Sequence, residues 1–430
     1  MKHICIVGMG RVGLTLALIL ASAGFKVYGI DRDKNAVASL NKGKPHFYEK
    51  GLDALLKKHL NNNLVVAQRM EGERQDAYII CVGTPVDRET KKVILEPLIQ
   101  ATSEVAEQLT KDSIVILRST VPVGATRNII LPILRERQEN FYLAYCPERT
   151  LEGRALMELG ELPQIVGGLN EESVEKAVSI FSKVTATTVR VDSLEAAEMT
   201  KLIDNSYRDV NFALANEVAL IADRLGVDAV ELIKAANLGY PRNKVPVPGF
   251  VGGACLSKDP YILHESAASL GYETMLVKLA RVVNESLPSH VAQKLAGQLS
   301  HLGKDIKSAK ILVLGIAFKG QPDTDDVRDS PALSLIDYFK NEHGVNRIYG
   351  HDFIVPPHEL QKAGVEPCSL EDGFKDADCV IFMNNHRSYY DLDIETLTAL
   401  LNKPAVFIDV WHIFNPKDMR EFDGVIYGGL

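Results

Sequence analysis

What the chain lacks sets its first limits. Six cysteines stand at positions 5, 81, 146, 255, 368 and 379, and none forms a CxxC pair or has metal-ligand spacing. No disulfide framework and no metal site is expected, and a reducing cytoplasm fits. The apolar stretch Leu14 to Ala23 is too short to span a bilayer and reads as a buried helix. Met1-Lys2 ahead of that stretch imitates a signal peptide. Gly8, Gly10 and Gly13 interrupt it, however, and no small-x-small cleavage site follows, so no signal peptide is expected. Basic excess is missing too: the net charge is -8, which argues against a general nucleic-acid binder. An anionic small molecule is still admissible, because local basic residues focus such a ligand into a cleft. No low-complexity segment or short-period repeat is present.

The 430 residues, 46% hydrophobic and 24% charged, suffice for two or three domains, each with its own core. The first part alternates short apolar runs with helical patterns, which predicts βαβ units and a parallel sheet. The strands expected are 3–7, 26–30, 77–82, 113–117, 142–145 and 164–167, with a last αβ unit around 174–191. From Asp192 or Ser193, either a good N-cap, a helical pattern runs without Pro or Gly to Gly226. At about 1.5 Å per residue this helix is roughly 45–50 Å long, a length that suits a domain connector or a subunit interface. Its apolar stripe is Met199, Leu202, Ile203, Val210, Ala213, Leu214, Leu220 and Ile221. Further helices are expected over 228–237 and 276–302. The βα alternation restarts near Ser308, with strands at 310–316, 347–350, 379–383 and 406–410. A weak pseudo-repeat of strand, glycine, helix and strand ending in Asp recurs at Asp31 and Asp352. The fold class is α/β, with two sheet domains flanking a helical middle, divided at 1–191, 192–303 and 304–430.

Gly8-Met9-Gly10-Arg11-Val12-Gly13 follows a strand and opens a helix. The first glycine permits the turn, the second lets the backbone approach a pyrophosphate, and the third lets helix pack on strand. The helix N-terminus then offers free N–H groups to the diphosphate. Asp31, at the end of the second strand, is placed for a ribose 2′-OH, which favours NAD over NADP. Arg32 beside it could instead accept a 2′-phosphate, and a Rossmann domain could bind another nucleotide. Thr84 and Thr120 follow apolar strands, at the carboxyl ends where ligands bind in open α/β sheets. For Thr84, a loop hydroxyl satisfying backbone is an equal alternative to cofactor contact.

Cys255 differs in setting from the other cysteines, because it follows Pro248-Gly249-Phe250-Val251-Gly252-Gly253. Glycine pairs let a backbone approach a ligand closely. Lys258 and a helix beginning at Asp259-Pro260 could lower the thiol pKa. The alternative is a structural cysteine in a glycine turn. Lys201 and Asn205, four apart on the long helix, share a face and could clamp a developing alkoxide. A solvated helix face is the plain alternative. In Cys146-Pro147-Glu148-Arg149-Thr150-Leu151-Glu152, either glutamate could act as a base and Arg149 could meet a phosphate or sugar oxygen.

Taken in order, these motifs resemble the UDP-glucose/GDP-mannose dehydrogenase family of nucleotide-sugar 6-dehydrogenases, over Ile4 to about Val410. The resemblance rests on the glycine fingerprint, Val82-Gly83-Thr84-Pro85, Ser119-Thr120-Val121-Pro122, Pro147-Glu148 and Lys201-x-x-x-Asn205. It continues through Gly252-Gly253-x-Cys255-x-x-Lys258-Asp259, Ala317-Phe318-Lys319 and Thr324-Asp325-Asp326-Val327-Arg328-Asp329-Ser330-Pro331. It implies a Rossmann NAD-binding domain, a central helical domain and a Rossmann-like nucleotide-sugar-binding domain. It also implies that the sugar C6 hydroxyl is oxidised to the acid with two NAD⁺, Cys255 forming a thiohemiacetal and then a thioester. By the same resemblance Lys201 and Asn205 hold the C6 oxygen, Asp259 and Thr120 organise water and proton transfer, and Glu148 assists hydrolysis. Glu152, Arg149, Phe250, Gly252 and Lys319 match substrate positions, and Lys258 and Arg328 match cofactor positions. A homodimer built on the long helix is implied, with Arg242 reaching the other subunit's substrate.

The segments 147–156, 162–168 and 248–261 look like the branch acting on UDP-N-acetylhexosamines, UDP-N-acetylmannosamine or UDP-N-acetylglucosamine, in polysaccharide biosynthesis. UDP-glucose is the alternative. Ala254 and Lys258 depart from that branch, where many members carry histidine and an aliphatic residue. Two more distant readings are a single-step hydroxyacid dehydrogenase and a non-catalytic nucleotide-sugar-binding protein.

Overall fold

A computed structural model describes residues 1–70 and 74–429. The chain divides into two compact units, residues 1–205 with 261–274, and residues 206–260 with 275–430. The division falls within the long helix, after Asn205.

The first unit is built on eight strands: β1 (His3–Val7), β2 (Lys26–Ile30), β3 (Leu64–Ala67), β4 (Ala77–Ile80), β5 (Ile114–Leu117), β6 (Tyr142–Tyr145), β7 (Gln164–Gly168) and β8 (Thr188–Arg190). They lie in the order β3-β2-β1-β4-β5-β6-β7-β8. Every pairing is parallel except that of β6 with β7, which is antiparallel. The sequence signature of a parallel sheet therefore holds over six strands and stops at β7. A short helix, Ala155–Glu161, lies in the connection between β6 and β7. The strand order reverses between β1 and β4, the switch point at which open α/β sheets bind ligands.

Side chains alternate across this sheet. Ile4, Ile6, Ala77 and Ile79 join one apolar cluster. Cys5, Val7, Tyr78 and Ile80 join the other. Both faces are buried, which is why these strands read as continuous apolar runs. Cys5 behaves as the small buried hydrophobe expected of it, its thiol pushed up to about 12 by burial.

The second unit carries six strands: β9 (Lys310–Leu314), β10 (Arg347–His351), β11 (Glu366–Pro367), β12 (Cys379–Phe382), β13 (Ala405–Asp409) and β14 (Val425–Gly428). Their order, β11-β10-β9-β12-β13-β14, repeats that of the first six strands of the other sheet, and all are parallel. The pseudo-repeat extends to side chains. Asp31 Oδ2 accepts the Met9 N–H at 2.8 Å, just past the glycine of β1. Asp352 Oδ2 accepts the N–H groups of Ile316 and Ala317 at 2.8 and 3.0 Å, just past Gly315.

The long helix spans Leu194–Leu225, 32 residues, close to the expected bounds. Ser193 starts it, its hydroxyl accepting the Ala196 N–H at 3.1 Å. The expected apolar stripe faces inward only in part: Leu202 and Ala213 are buried, and Val210 and Leu220 are half-buried. Met199, Ile203, Leu214 and Ile221 are exposed, whereas Glu198, Lys201, Asn205, Asp209 and Asn216 are buried. A helix Met275–His301 supplies partners in the second unit. There Arg281 donates to Asp209 at 2.7 Å, and the Asn284 amide donates to the same carboxylate at 2.9 Å.

Gly13 offers a sharp test of the first unit's packing. A Cβ there would lie 1.7 Å from the Gly8 carbonyl oxygen. Gly13→Ala should cost about 3 kcal/mol or more, read as a lower urea midpoint by circular dichroism; an unchanged midpoint contradicts this packing.

Candidate active site

In the first unit the fingerprint glycines divide their work as the motif requires. Gly8 has φ +95°, and a Cβ on it would stand 3.0 Å from the Cys81 backbone. Gly13 admits no side chain. Gly10 faces open space, with nothing within 4 Å of a built Cβ, which is the access a diphosphate needs. The helix Arg11–Ser22 begins directly after it, presenting N–H groups without any side-chain cap. Asp31 has one oxygen on Met9 N–H and the other on Asp33 N–H at 2.9 Å, so its carboxylate is oriented before a ribose arrives. Arg32 turns away to the Gln100 side chain at 2.9 Å. These residues fit NAD.

Arg11 lies over the Phe47 ring and 3.8 Å from Glu152, so a fingerprint residue and a proposed substrate carboxylate are neighbours. The Thr84 hydroxyl donates to the Thr120 carbonyl at 2.6 Å. Thr84 therefore acts first on the backbone of the loop that carries Thr120. Ser119 adds a second tie, donating to the Val82 carbonyl at 2.7 Å.

Glu148 sits in a dense cradle. One oxygen accepts from the Arg118 guanidinium at 2.6 and 3.1 Å, the other from the N–H groups of Arg149 and Thr150 at 2.8 and 2.7 Å. Arg118 itself is held by the Gln164 side chain and the Cys146 carbonyl. Burial pushes the Glu148 carboxyl up, but the adjoining guanidinium and the backbone N–H donors outweigh it and hold it below its ordinary value. Glu148 is thus a standing anion at neutral pH. Glu49, buried, closes the far end of the same loop by accepting from Gly153 and Ala155. Arg149 makes an ion pair with Asp204 of the long helix at 2.8 Å, an electrostatic contact, since its Nε has no aligned acceptor. Lys201 and Asn205 are both buried, which removes the reading of a solvated helix face.

In the second unit Cys255 lies in a short helix, Gly253–Leu256, and is exposed. The glycine pair before it serves a close approach different from the one expected. A Cβ at Gly252 would meet the Asp329 carbonyl at 2.5 Å, and one at Gly253, with φ +86°, would meet the Phe318 ring at 2.4 Å. The Gly253 N–H donates to the Asp329 carbonyl at 3.0 Å, and the Ser257 hydroxyl donates to the Asp329 carboxylate at 3.1 Å. The cysteine loop is therefore clamped to the segment that carries Lys319 and Arg328. Lys319 stands over the Phe318 ring, and Arg328 is held by Asp326 at 2.6 Å. Asp259 opens the helix Asp259–Ser269, fully buried, and pairs with Lys258 at 2.9 Å. Phe250 is buried in the apolar core of this unit. Arg242 is exposed and stacks on Tyr240. Among the described residues no cluster could hold a metal ion.

Sequence reasoning missed Arg118, Gln164 and Glu49, the residues that fix the Glu148 loop. Arg118 left one signal, a lone charge directly after the apolar run Ile114–Leu117. Glu49 and Gln164 left none.

Comparison with known proteins agrees with this geometry. Models of the UDP-glucose/GDP-mannose dehydrogenase family match residues 2–185 (NAD binding domain), 195–286 (central domain) and 312–416 (UDP binding domain). The chain is 34% identical over 412 residues to UDP-N-acetyl-D-mannosamine dehydrogenase of Campylobacter jejuni, covering 93% of this chain and 98% of that one. The structure of a UDP-D-ManNAc dehydrogenase from Pyrococcus horikoshii superposes with a TM-score of 0.89 at 32% identity, covering 99% and 98% of the two chains. A UDP-glucose dehydrogenase from Pyrobaculum islandicum gives 0.84 at 28%, covering 100% and 97%.

Replacing Arg118 with Met leaves Glu148 buried without its counter-charge. The stability that Glu148 contributes is present above its unfolded pKa of about 4.3 and is lost as pH falls through its lower folded value. At pH 7 the Arg118→Met variant should lose about 3–5 kcal/mol, measured by urea denaturation. A loss below 1 kcal/mol contradicts the pairing.

Proposed function

The chain belongs to the UDP-glucose/GDP-mannose dehydrogenase family, and on that premise we propose that it oxidises C6 of a UDP-N-acetylhexosamine twice, to the uronic acid, with Cys255 holding the intermediate. The chain is an NAD-dependent nucleotide-sugar dehydrogenase. The observation that supports the covalent role is the setting of Cys255. It is the one exposed cysteine among the described residues, on a turn that its own unit clamps at Asp329 and Phe318. The buried cysteines are unreactive by comparison, with Cys5 and Cys146 both pushed up to about 12 by burial.

NAD⁺, held by the Gly8–Gly13 turn and Asp31, supplies the hydride acceptor for both oxidations. The other roles belong to side chains. Lys201 and Asn205 stabilise the C6 oxygen as its proton leaves. The Cys255 sulfur then adds to the aldehyde carbon, and its proton passes to the carbonyl oxygen to give a thiohemiacetal. Loss of the second hydride from that carbon, with the hydroxyl proton passing to water, leaves a thioester. Water adds at that carbon, the C–S bond breaks, and the thiol and the uronic acid separate. Asp259 and Thr120 organise the water and carry the proton, and Glu148 contributes a fixed negative charge to the hydrolytic step. Lys258 and Arg328 meet the diphosphate of the cofactor. Arg149, Glu152, Arg242, Phe250, Gly252 and Lys319 shape the nucleotide-sugar site. These roles sit on a three-part division of the chain at 1–191, 192–303 and 304–430.

The N-acetylated sugar is supported by the Campylobacter and Pyrococcus relatives, both named for UDP-N-acetylmannosamine. The similarity to the Pyrobaculum UDP-glucose enzyme is lower and supports the alternative less. Assembly as a homodimer is supported by apolar side chains that the second unit leaves uncovered: Tyr207, Leu214, Ile221 and Leu225 on the long helix, and Met275, Leu276, Leu279 and Val282 on the helix Met275–His301. A second copy is the occupant that buries like against like. No helix is long and apolar enough to cross a membrane among the described residues. The six free cysteines support placement in the cytoplasm.

A panel of UDP- and GDP-sugars, read by absorbance of the reduced cofactor, should give the highest kcat/KM with UDP-N-acetylmannosamine or UDP-N-acetylglucosamine; UDP-glucose as the best substrate overturns that assignment. Cys255→Ala should form no acid while binding NAD⁺ with an unchanged Kd, and an acid-forming variant removes the covalent role. Leu214→Glu should convert a dimer to a monomer in light scattering; a wild-type monomer contradicts the assembly.

A further inference from the structure

Among the buried ionisable groups, Glu198 has no part in the chemistry above. It is fully buried on the long helix, three residues before Lys201 and seven before Asn205, a spacing that puts all three on one face. Its carboxylate reaches off the helix to the loop that follows β5. One oxygen accepts the Gly124 N–H at 2.5 Å, and the other accepts the Thr126 N–H at 2.8 Å and the Thr126 hydroxyl at 2.5 Å. That loop is the run from Thr120 to Thr126. We propose that Glu198 is a positioning residue, fixing the backbone that carries Thr120 onto the helix that carries Lys201 and Asn205. This rests on the roles assigned above to those three residues.

A simple cap would not need this arrangement. Gly124 and Thr126 lie at the start of the helical segment Thr126–Arg135, where unsatisfied N–H groups are usually met by a local Ser, Thr or Asp at the surface. Here a carboxylate does so from another helix, without solvent, and desolvation raises its pKa to about 7 despite three donors. The charged neighbours do little to relieve it. Glu195, one turn earlier on the same helix, and Arg127 of the loop pair with each other at 2.5 Å. Lys201 follows on the same helix. From the helix Asp259–Ser269 the loop meets Ser266, which accepts the Val123 N–H at 3.0 Å, while Glu265 turns to the Val93 N–H. The fold thus keeps an expensive anion where its two oxygens are the anchors of one functional loop.

Ionisation links this anchor to pH. A protonated Glu198 carries a hydrogen on one of its two accepting oxygens and so loses a donor it now holds. A folded pKa raised above the unfolded one means that the fold favours the neutral acid, while the loop geometry requires the anion. Wild-type kcat should therefore fall as pH drops through about 7.

The test is Glu198→Gln, a permanent mimic of the neutral acid. The first readout needs no turnover: amide hydrogen exchange over 120–126 at pH 8 should be faster in the variant by at least tenfold, with NAD⁺ binding within twofold of wild type. In turnover, kcat at pH 8 should fall at least tenfold with KM within twofold, and the acid limb near pH 7 should vanish. Exchange and a pH profile that superimpose on wild type overturn the proposal. Should Glu198→Gln fail to fold, Thr126→Val removes one donor only; the acid limb should then move to higher pH, and an unmoved limb overturns the proposal. Wild-type protein that reduces no NAD⁺ with any nucleotide sugar sinks the functional reading instead, and the exchange readout still decides the role of Glu198.

Discussion

The long helix must satisfy the polar side chains it buries, and the loops of both units are arranged to do it. An unpartnered buried charge or amide costs several kcal/mol on the order of whole-domain stability. In the first unit Glu198 meets Gly124 and Thr126. In the second, Asn216 accepts the Gly249 N–H at 2.8 Å and donates to Asn284 at 2.9 Å, which itself serves Asp209. Gly249 begins the segment that leads to Cys255. Each unit thus ties a loop of chemical interest to the same helix through a buried polar group. Leu194, Ala197, Leu202, Ala213, Ala215, Ala219 and Ala222 pack inward beside these polar groups, while Met199, Ile203, Leu214 and Ile221 stay exposed.

The two sheets share a strand order and one device, an aspartate after the second strand that binds the backbone after the first. They diverge at the glycine turn. In the first unit Gly8 leads directly into a helix whose open N-terminus suits a diphosphate. In the second, Gly315 leads into the segment Ile316–Ser330 before the helix Pro331–Asn341 begins. That segment clamps the cysteine turn through Asp329 and Phe318 and displays Lys319 and Arg328. The same topology therefore offers an open helix N-terminus in one unit and, in the other, a segment that fixes the turn bearing the exposed Cys255.

Much of this was legible from residue patterns. Buried parallel strands declare themselves as apolar runs, so β1, β2, β6 and β9 were placed to within a residue or two. The helix ends were marked by Ser193 and Gly226. Short edge strands were not legible: β3, β11 and β14 are too short or too mixed to stand out from loop. The antiparallel direction of β7 left no sign in the strand or in the length of the connection before it, which is close to that between the parallel strands β7 and β8. The long helix misled in part because its buried face mixes Leu202 and small alanines with Glu198, Lys201, Asn205, Asp209 and Asn216, so apolar periodicity alone does not locate it. Gly252 and Gly253 suggest backbone approaching a ligand, but in the structure they make room for other parts of the chain. What approaches them, Asp329 and Phe318, lies more than sixty residues away in the chain. Glu198 and Glu49 escaped for the same reason, since a charged residue carries no local sign of the backbone it will bind.

The proposed double oxidation requires that one enzyme carry a single carbon through both steps without releasing the aldehyde. Limiting nucleotide sugar, excess NAD⁺ and an end-point reading of reduced cofactor test it directly. Two NADH should form for each sugar consumed, with no free aldehyde trapped by a hydrazine reagent. A ratio of one, with aldehyde accumulating, contradicts it.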